Sequence, residues 1–170
     1  HVRSRRQRQM CIRDSIYAVT FGGFIGLATF LPSYFYDQFG VSKIEAGQLT
    51  MLAAFMGAAT RILGGWLSDH WGGVNTLTVV LVVISGSLLL CGLSSQSLAL
   101  TVICFLVCFA ALGAGNGALF QLVPLRWPAT TAVAGSMIGE LGALGGGLIP
   151  ATMGLSQQYS GSYFTGFSIF

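Results

Sequence analysis

The sequence predicts an all-α membrane protein, and three observations carry that prediction. Of its 170 residues 54% are hydrophobic and only 8% are charged, whereas soluble domains carry about a quarter charged residues. Mean hydropathy is +0.75, which makes lipid the expected solvent. The apolar residues fall into runs long enough to cross a hydrocarbon core, for which a helix needs about 20 residues. Sustained alternation in segments of about ten residues, the mark of a membrane barrel, is missing.

The chain opens on HVRSRRQRQMCIRDS, residues 1–15, with five arginines, one aspartate and a net charge of +4. From Ile16 onward, Lys43, Arg61 and Arg126 stand against Asp37, Glu45, Asp69 and Glu140, a net charge of −1. The basic pI near 8.8 is therefore set by the head. A basic arm can bind anionic lipid or nucleic acid. The string also resembles translated adapter read-through, and this reading is preferred. Residues 1–15 are taken as a non-native or disordered head outside the fold, with no nucleic-acid partner. A signal peptide does not fit, because the following apolar run is too long and lacks a small-residue cleavage site.

Five spans are expected, at 16–36, 46–68, 74–94, 97–125 and 129–154, joined by the short connectors DQFGVSK, SDHWGG, SSQS and LRWPAT, with SQQYSGS after the fifth. A sixth span begins near Tyr163 and stops at Phe170. Such an ending, together with the foreign-looking head, reads as a fragment whose bundle occupies residues 16–170. Cys91, Cys104 and Cys108 lie in apolar runs without histidine or acid neighbours. They read as plain lipid- or bundle-facing side chains, with no metal expected.

The 24 glycines are partly ordered. Gly135, Gly139, Gly142 and Gly146 share one helix face, Gly113 and Gly117 form a small-xxx-small pair, and Gly64 and Gly65 follow Arg61. In water such a face weakens a helix by about 1 kcal/mol per glycine; in lipid it lets helices approach closely. Packing alone accounts for this pattern as well as a substrate role does.

Arg61 is the sharper signal. It lies eight residues before Asp69, about 12 Å inside that boundary at 1.5 Å per residue. Insertion scales assign roughly 2.5–3.5 kcal/mol to such a placement, and snorkelling recovers only part of it. One compensation is an ion pair with Glu140, the only acid well inside another span. The other is an anion from the aqueous phase, since a planar guanidinium presents parallel donors to a planar oxyanion. After Arg61 comes GGWLSDHWGG, where Asp69 reads as a cap or charge lock between helix ends.

With ATRILGGWLSDHWGG, three further stretches, TFGGFIGLATFLPSYFYDQFG, GAGNGALFQLVP and IGELGALGGGLIP, resemble the C-terminal half of a nitrate/nitrite porter of the major facilitator superfamily. The resemblance covers residues 16–170. It implies half of that superfamily's bundle, helices 7 to 11 and the start of 12, in a multi-pass protein of the cell (plasma or inner) membrane. Gly65, Asp69 and Gly72 match the loop motif, although His70 stands where the pattern carries arginine. The resemblance implies transport of nitrate and/or nitrite by alternating access, with neither cofactor nor catalysis. It places the anion between two six-helix halves, held by Arg61 and by a second arginine in the missing N-terminal half. Tyr17, Phe21, Gly142, Gly145 and Gly146 match substrate-contacting positions. Glu140 and Asn116 remain candidates for proton coupling or for helix contact, and Asn116 also for donating to the substrate. The rival readings are a carrier of another small anion, such as a carboxylate, and a membrane nitrate sensor. The remaining partner is membrane lipid.

Overall fold

The computed structural model describes residues 2–93, 97–126, 131–161, 163, 166 and 167; at 2–19, 121–126, 131–135, 137, 138, 141 and 160 it describes the backbone course alone. Five helices follow one another: α1 (Val2–Phe39), α2 (Lys43–Trp71), α3 (Gly73–Leu93), α4 (Leu98–Arg126) and α5 (Thr131–Ser160). Among the described residues there is no strand. Each helix overlaps one expected span. The backbone of α1 is helical from Val2, so no helix end marks the boundary expected after Ser15. Among the described residues α2, α3 and the Leu98–Phe120 part of α4 are long and apolar enough to cross a membrane. α5 has the length, but it gives many positions to glycine.

The turns follow from local chemistry. Gly40, at φ 63°, ends α1 and donates its N–H to the Tyr36 carbonyl at 3.1 Å. Ser42 then caps α2: its side chain accepts from the Glu45 N–H at 3.3 Å, and the Glu45 carboxylate accepts from the Ser42 N–H at 3.0 Å. This reciprocal box satisfies two of the donors that a helix start leaves open. At the far end Gly72 closes α2 with φ 84°, a left-handed value that suits glycine. α3 begins one residue later.

α4 packs against α2 on one side and α3 on another, α1 lies along α5 with smaller contacts to α2 and α4, and α4 scarcely meets α5. Thus α1 stands between the α2–α4 pair and α5. An aromatic cluster fills one end of the core: Tyr34 lies 5.6 Å from Phe105 and 5.1 Å from Tyr163, and Phe30 lies 5.4 Å from Tyr163. The Tyr163 hydroxyl lies within reach of two acceptors for its one proton, Asp37 Oδ2 at 3.5 Å and Gln157 Oε1. Past this point Phe167 donates its N–H to the Tyr163 carbonyl at 3.0 Å, and Gly166 and Phe167 are helical. Cys91, Cys104 and Cys108 are buried as free thiols, which settles them as bundle-facing. Large apolar side chains point outward, Ile62 at 80% and Phe55 at 71% exposure, as expected where acyl chains are the solvent.

Candidate anion site around Arg61

The site is built on the contact of α2 with α4. A Cβ placed on Gly113 would collide with the Gly57 carbonyl, one on Gly117 with the Arg61 carbonyl, and one on Gly64 with the Ala114 backbone. The two helices therefore meet backbone to backbone, which only small residues allow. Thr60 adds a hydrogen bond across the seam, its hydroxyl donating to the Ala110 carbonyl at 2.9 Å. These contacts fix the backbone of Arg61 against α4.

Its side chain turns toward α1. The guanidinium carbon stands 5.3 Å from the centroid of the Phe24 ring, within the range of a cation–π contact. Phe24 is held in turn by Phe109, edge to face at 5.3 Å and 61°. Gly57 makes the room, since a Cβ there would lie 2.6 Å from the Phe24 ring and 2.8 Å from the Phe109 carbonyl. Arg61 itself is half-buried, and its Nε is enclosed without a hydrogen-bond partner. Among the described residues no carboxylate pairs with it. Glu140, the carboxylate expected as its alternative partner, is exposed. At 100° per residue Glu140 lies on the side of α5 opposite the face formed by Gly142, Gly145 and Gly146.

Those three glycines receive α1. A Cβ at Gly142 would enter the Phe21 ring; one at Gly145 would lie 2.6 Å from the Gly22 carbonyl carbon; one at Gly146 would lie 2.8 Å from Ile25 Cγ2. The face these glycines leave bare is covered by α1. Phe21 and the glycine row are brought together, while Arg61 and that row are separated by α1, whose Phe24 faces α2 and α4. The backbone of Tyr17 lies in α1, one turn before Phe21, but its side chain falls outside the described residues.

Asn116 is fully buried on α4, and neither its Nδ2 nor its Oδ1 has a hydrogen-bond partner. The loop-motif residues cluster at the end of α2. Gly65 is buried. Asp69 is exposed in the last turns of the helix, and Gly72 rather than Asp69 closes it. His70 stacks on Trp66 with ring centroids 4.4 Å apart, and its Nδ1 lies 2.9 Å from the Trp66 carbonyl. A carbonyl can only accept, so Nδ1 carries the proton in that contact.

Phe24, Thr60 and Thr20 were not singled out from the sequence. The one available signal for Phe24 was its position three residues after Phe21, in a run where both look equally apolar. An interior cavity of about 20 Å³ is lined by Leu27, Ile84, Leu88, Leu112, Ile149, Met153 and Gly23. It has room for about one water, presents only apolar side chains, and is not lined by Arg61.

Long apolar helices joined by tight turns, with a half-buried guanidinium among them, define a multi-pass membrane protein. The chain belongs to the major facilitator superfamily, whose family model matches residues 4–150. This is a family of membrane transporters rather than enzymes. The chain is similar to the probable nitrate transporter NarT of Staphylococcus epidermidis, 29% identical over 86% of this chain and 38% of that protein. It is 34% identical to the probable nitrate/nitrite transporter NarK2 of Mycobacterium tuberculosis, over 84% of this chain and 36% of that protein. The nitrite extrusion protein of Bacillus subtilis is 31% identical over 89% of this chain and 38% of its own length. The chain thus spans little more than a third of the length of the curated relatives it matches.

Proposed function

We propose that this chain supplies helices 7 to 11 and the start of helix 12 of a carrier that moves nitrate and/or nitrite across the cell membrane by alternating access. One observation supports this reading above the others: Arg61 is held in the bundle over Phe24, and no carboxylate among the described residues neutralises it. A guanidinium in that setting favours a small planar oxyanion, because its fork matches two coplanar acceptor oxygens. The names of the relatives, which speak of nitrate and nitrite, point to the same chemistry.

In the proposed cycle the missing half contributes a second arginine across the midplane. Facing guanidiniums repel one another in low dielectric, so the empty carrier resists closure, and a bound anion relieves that repulsion. The anion thereby favours the closed state by differential binding. The glycine row of α5 serves this cycle by letting α1 and α5 lie close and move as one body.

The experiment is uptake of nitrogen-labelled nitrate by the full-length carrier in proteoliposomes, comparing the native protein with Arg61→Lys and Arg61→Gln. Both variants are expected to lose about tenfold or more of uptake, because lysine keeps the charge and loses the planar fork. Native uptake by Arg61→Lys would overturn the assignment. Uptake inhibited by small carboxylates and indifferent to nitrite would replace nitrate with an organic anion.

A further inference from the structure

Asn116 sits in the turn of α4 where three helices converge. Gly115, before it, faces α1 and α3: a Cβ there would lie 3.0 Å from Thr20 Cγ2 and 3.0 Å from Val80 Cγ1. Gly117, after it, abuts the carbonyl of Arg61. Thr20 lies one helical turn from Phe24, the ring beneath the guanidinium. Asn116 and the Arg61 side chain therefore border the same α1–α2–α4 junction. Each holds polar atoms that are buried and unpartnered, Nδ2 and Oδ1 in one case and Nε in the other.

An unpaired amide in a membrane interior is costly, and alanine would fill the position without that cost. The amide and Nε are chemically complementary. Nε–H can only donate, and Oδ1 can accept it. A carboxylate would satisfy Nε more strongly, but it would cancel the charge that an anion requires. A neutral acceptor orients the guanidinium and leaves its charge intact.

Resting on the reading of Arg61 as an anion ligand, we infer that Asn116 is its positioning residue: with the anion in place its Oδ1 takes up the Nε–H and holds the guanidinium with its Nη groups free for the anion. The other neighbours named at this junction, Thr20 and Phe24 of α1 and Val80 of α3, carry no charge that would neutralise the guanidinium. The affinity gained is that of a pre-oriented ligand over a mobile one.

The test uses the full-length carrier with Asn116→Leu and Asn116→Asp, reading KM and turnover for nitrate together with the thermal unfolding midpoint. Asn116→Leu should raise KM about tenfold, the size of one hydrogen bond to a charged group. Turnover should change little, and the midpoint should stay or rise because an unpaired amide is gone. Asn116→Asp is the closer match in shape, yet it should raise KM further, since its carboxylate pairs with Arg61 and competes with the anion. A role in helix contact alone predicts the reverse: a lower midpoint or failure to fold for Asn116→Leu, and near-native KM for Asn116→Asp. Either result would overturn the inference. Arg61→Lys in the same assay separates the two levels. Native transport there removes the anion-site reading itself, whereas loss there with native KM in both Asn116 variants removes only the positioning role.

Discussion

The guanidinium carbon of Arg61 lies 5.3 Å from the centre of the Phe24 ring, and that pairing joins α2 to α1 where a half-buried cation enters the bundle. The aromatic face attracts the cation without neutralising it. Phe24→Leu keeps the volume roughly constant and removes the face. Anion affinity should weaken by about 0.5–2 kcal/mol, roughly 2- to 30-fold, while Phe24→Trp retains it. Titration of nitrate binding to the purified full-length carrier would show this, and equal affinity in Phe24→Leu would count against the contact.

The seam between α2 and α4 tolerates no side chain where the backbones cross. Gly117→Val should destabilise the bundle by about 1–3 kcal/mol through overpacking against the Arg61 carbonyl. Gly86 of α3, where a Cβ meets nothing within 4 Å, should accept alanine without loss and gain up to about 1 kcal/mol. Thermal unfolding in detergent, run on both variants side by side, checks the contrast.

Thr60 makes a hydrogen bond from α2 to the Ala110 carbonyl of α4 at 2.9 Å. Valine has nearly the same shape and cannot donate. Thr60→Val should lower stability by about 0.6 kcal/mol, the mean for hydrogen bonds between membrane helices. An unchanged unfolding midpoint would mean that the bond adds nothing to the seam.

At the start of α2, Ser42 and Glu45 satisfy each other's backbone donors. Ser42→Ala removes the reciprocal arrangement and should cost about 1 kcal/mol. Hydrogen exchange localises the effect: amides in the first turn of α2 should exchange faster, and those around Arg61 should not.

The helices were legible in the residues because length and composition are local properties. Runs of apolar side chains bounded by Gly40, Gly72 and the connector near Ser97 mark α1 through α4 within a few residues. The exception is the start of α1, where a composition change at Ile16 leaves the helical backbone unbroken. The candidate site was legible in part. Arg61 declares itself by its cost in lipid. Phe24 did not, because nothing in TFGGF distinguishes the ring under the guanidinium from Phe21, the ring against Gly142. The glycines of IGELGALGGG could equally have lined a pathway or packed a helix, and here they receive Phe21, Gly22 and Ile25.

The amino-acid sequence alone determined that this is a helical membrane protein, roughly where its spans lie, and that one arginine needs a compensating partner. Those properties follow from hydropathy, from turn chemistry and from the free energy of a buried charge. Only the tertiary structure decided which face of each helix turns inward, and so that Arg61 lies over Phe24, that α1 separates it from the glycine row, and that Asn116 is enclosed without a partner. The physical reason is the solvent. In water an apolar stripe marks the buried side of a helix, but in lipid every side is apolar, and the rotation of each helix is set by how closely its small residues let a neighbour approach.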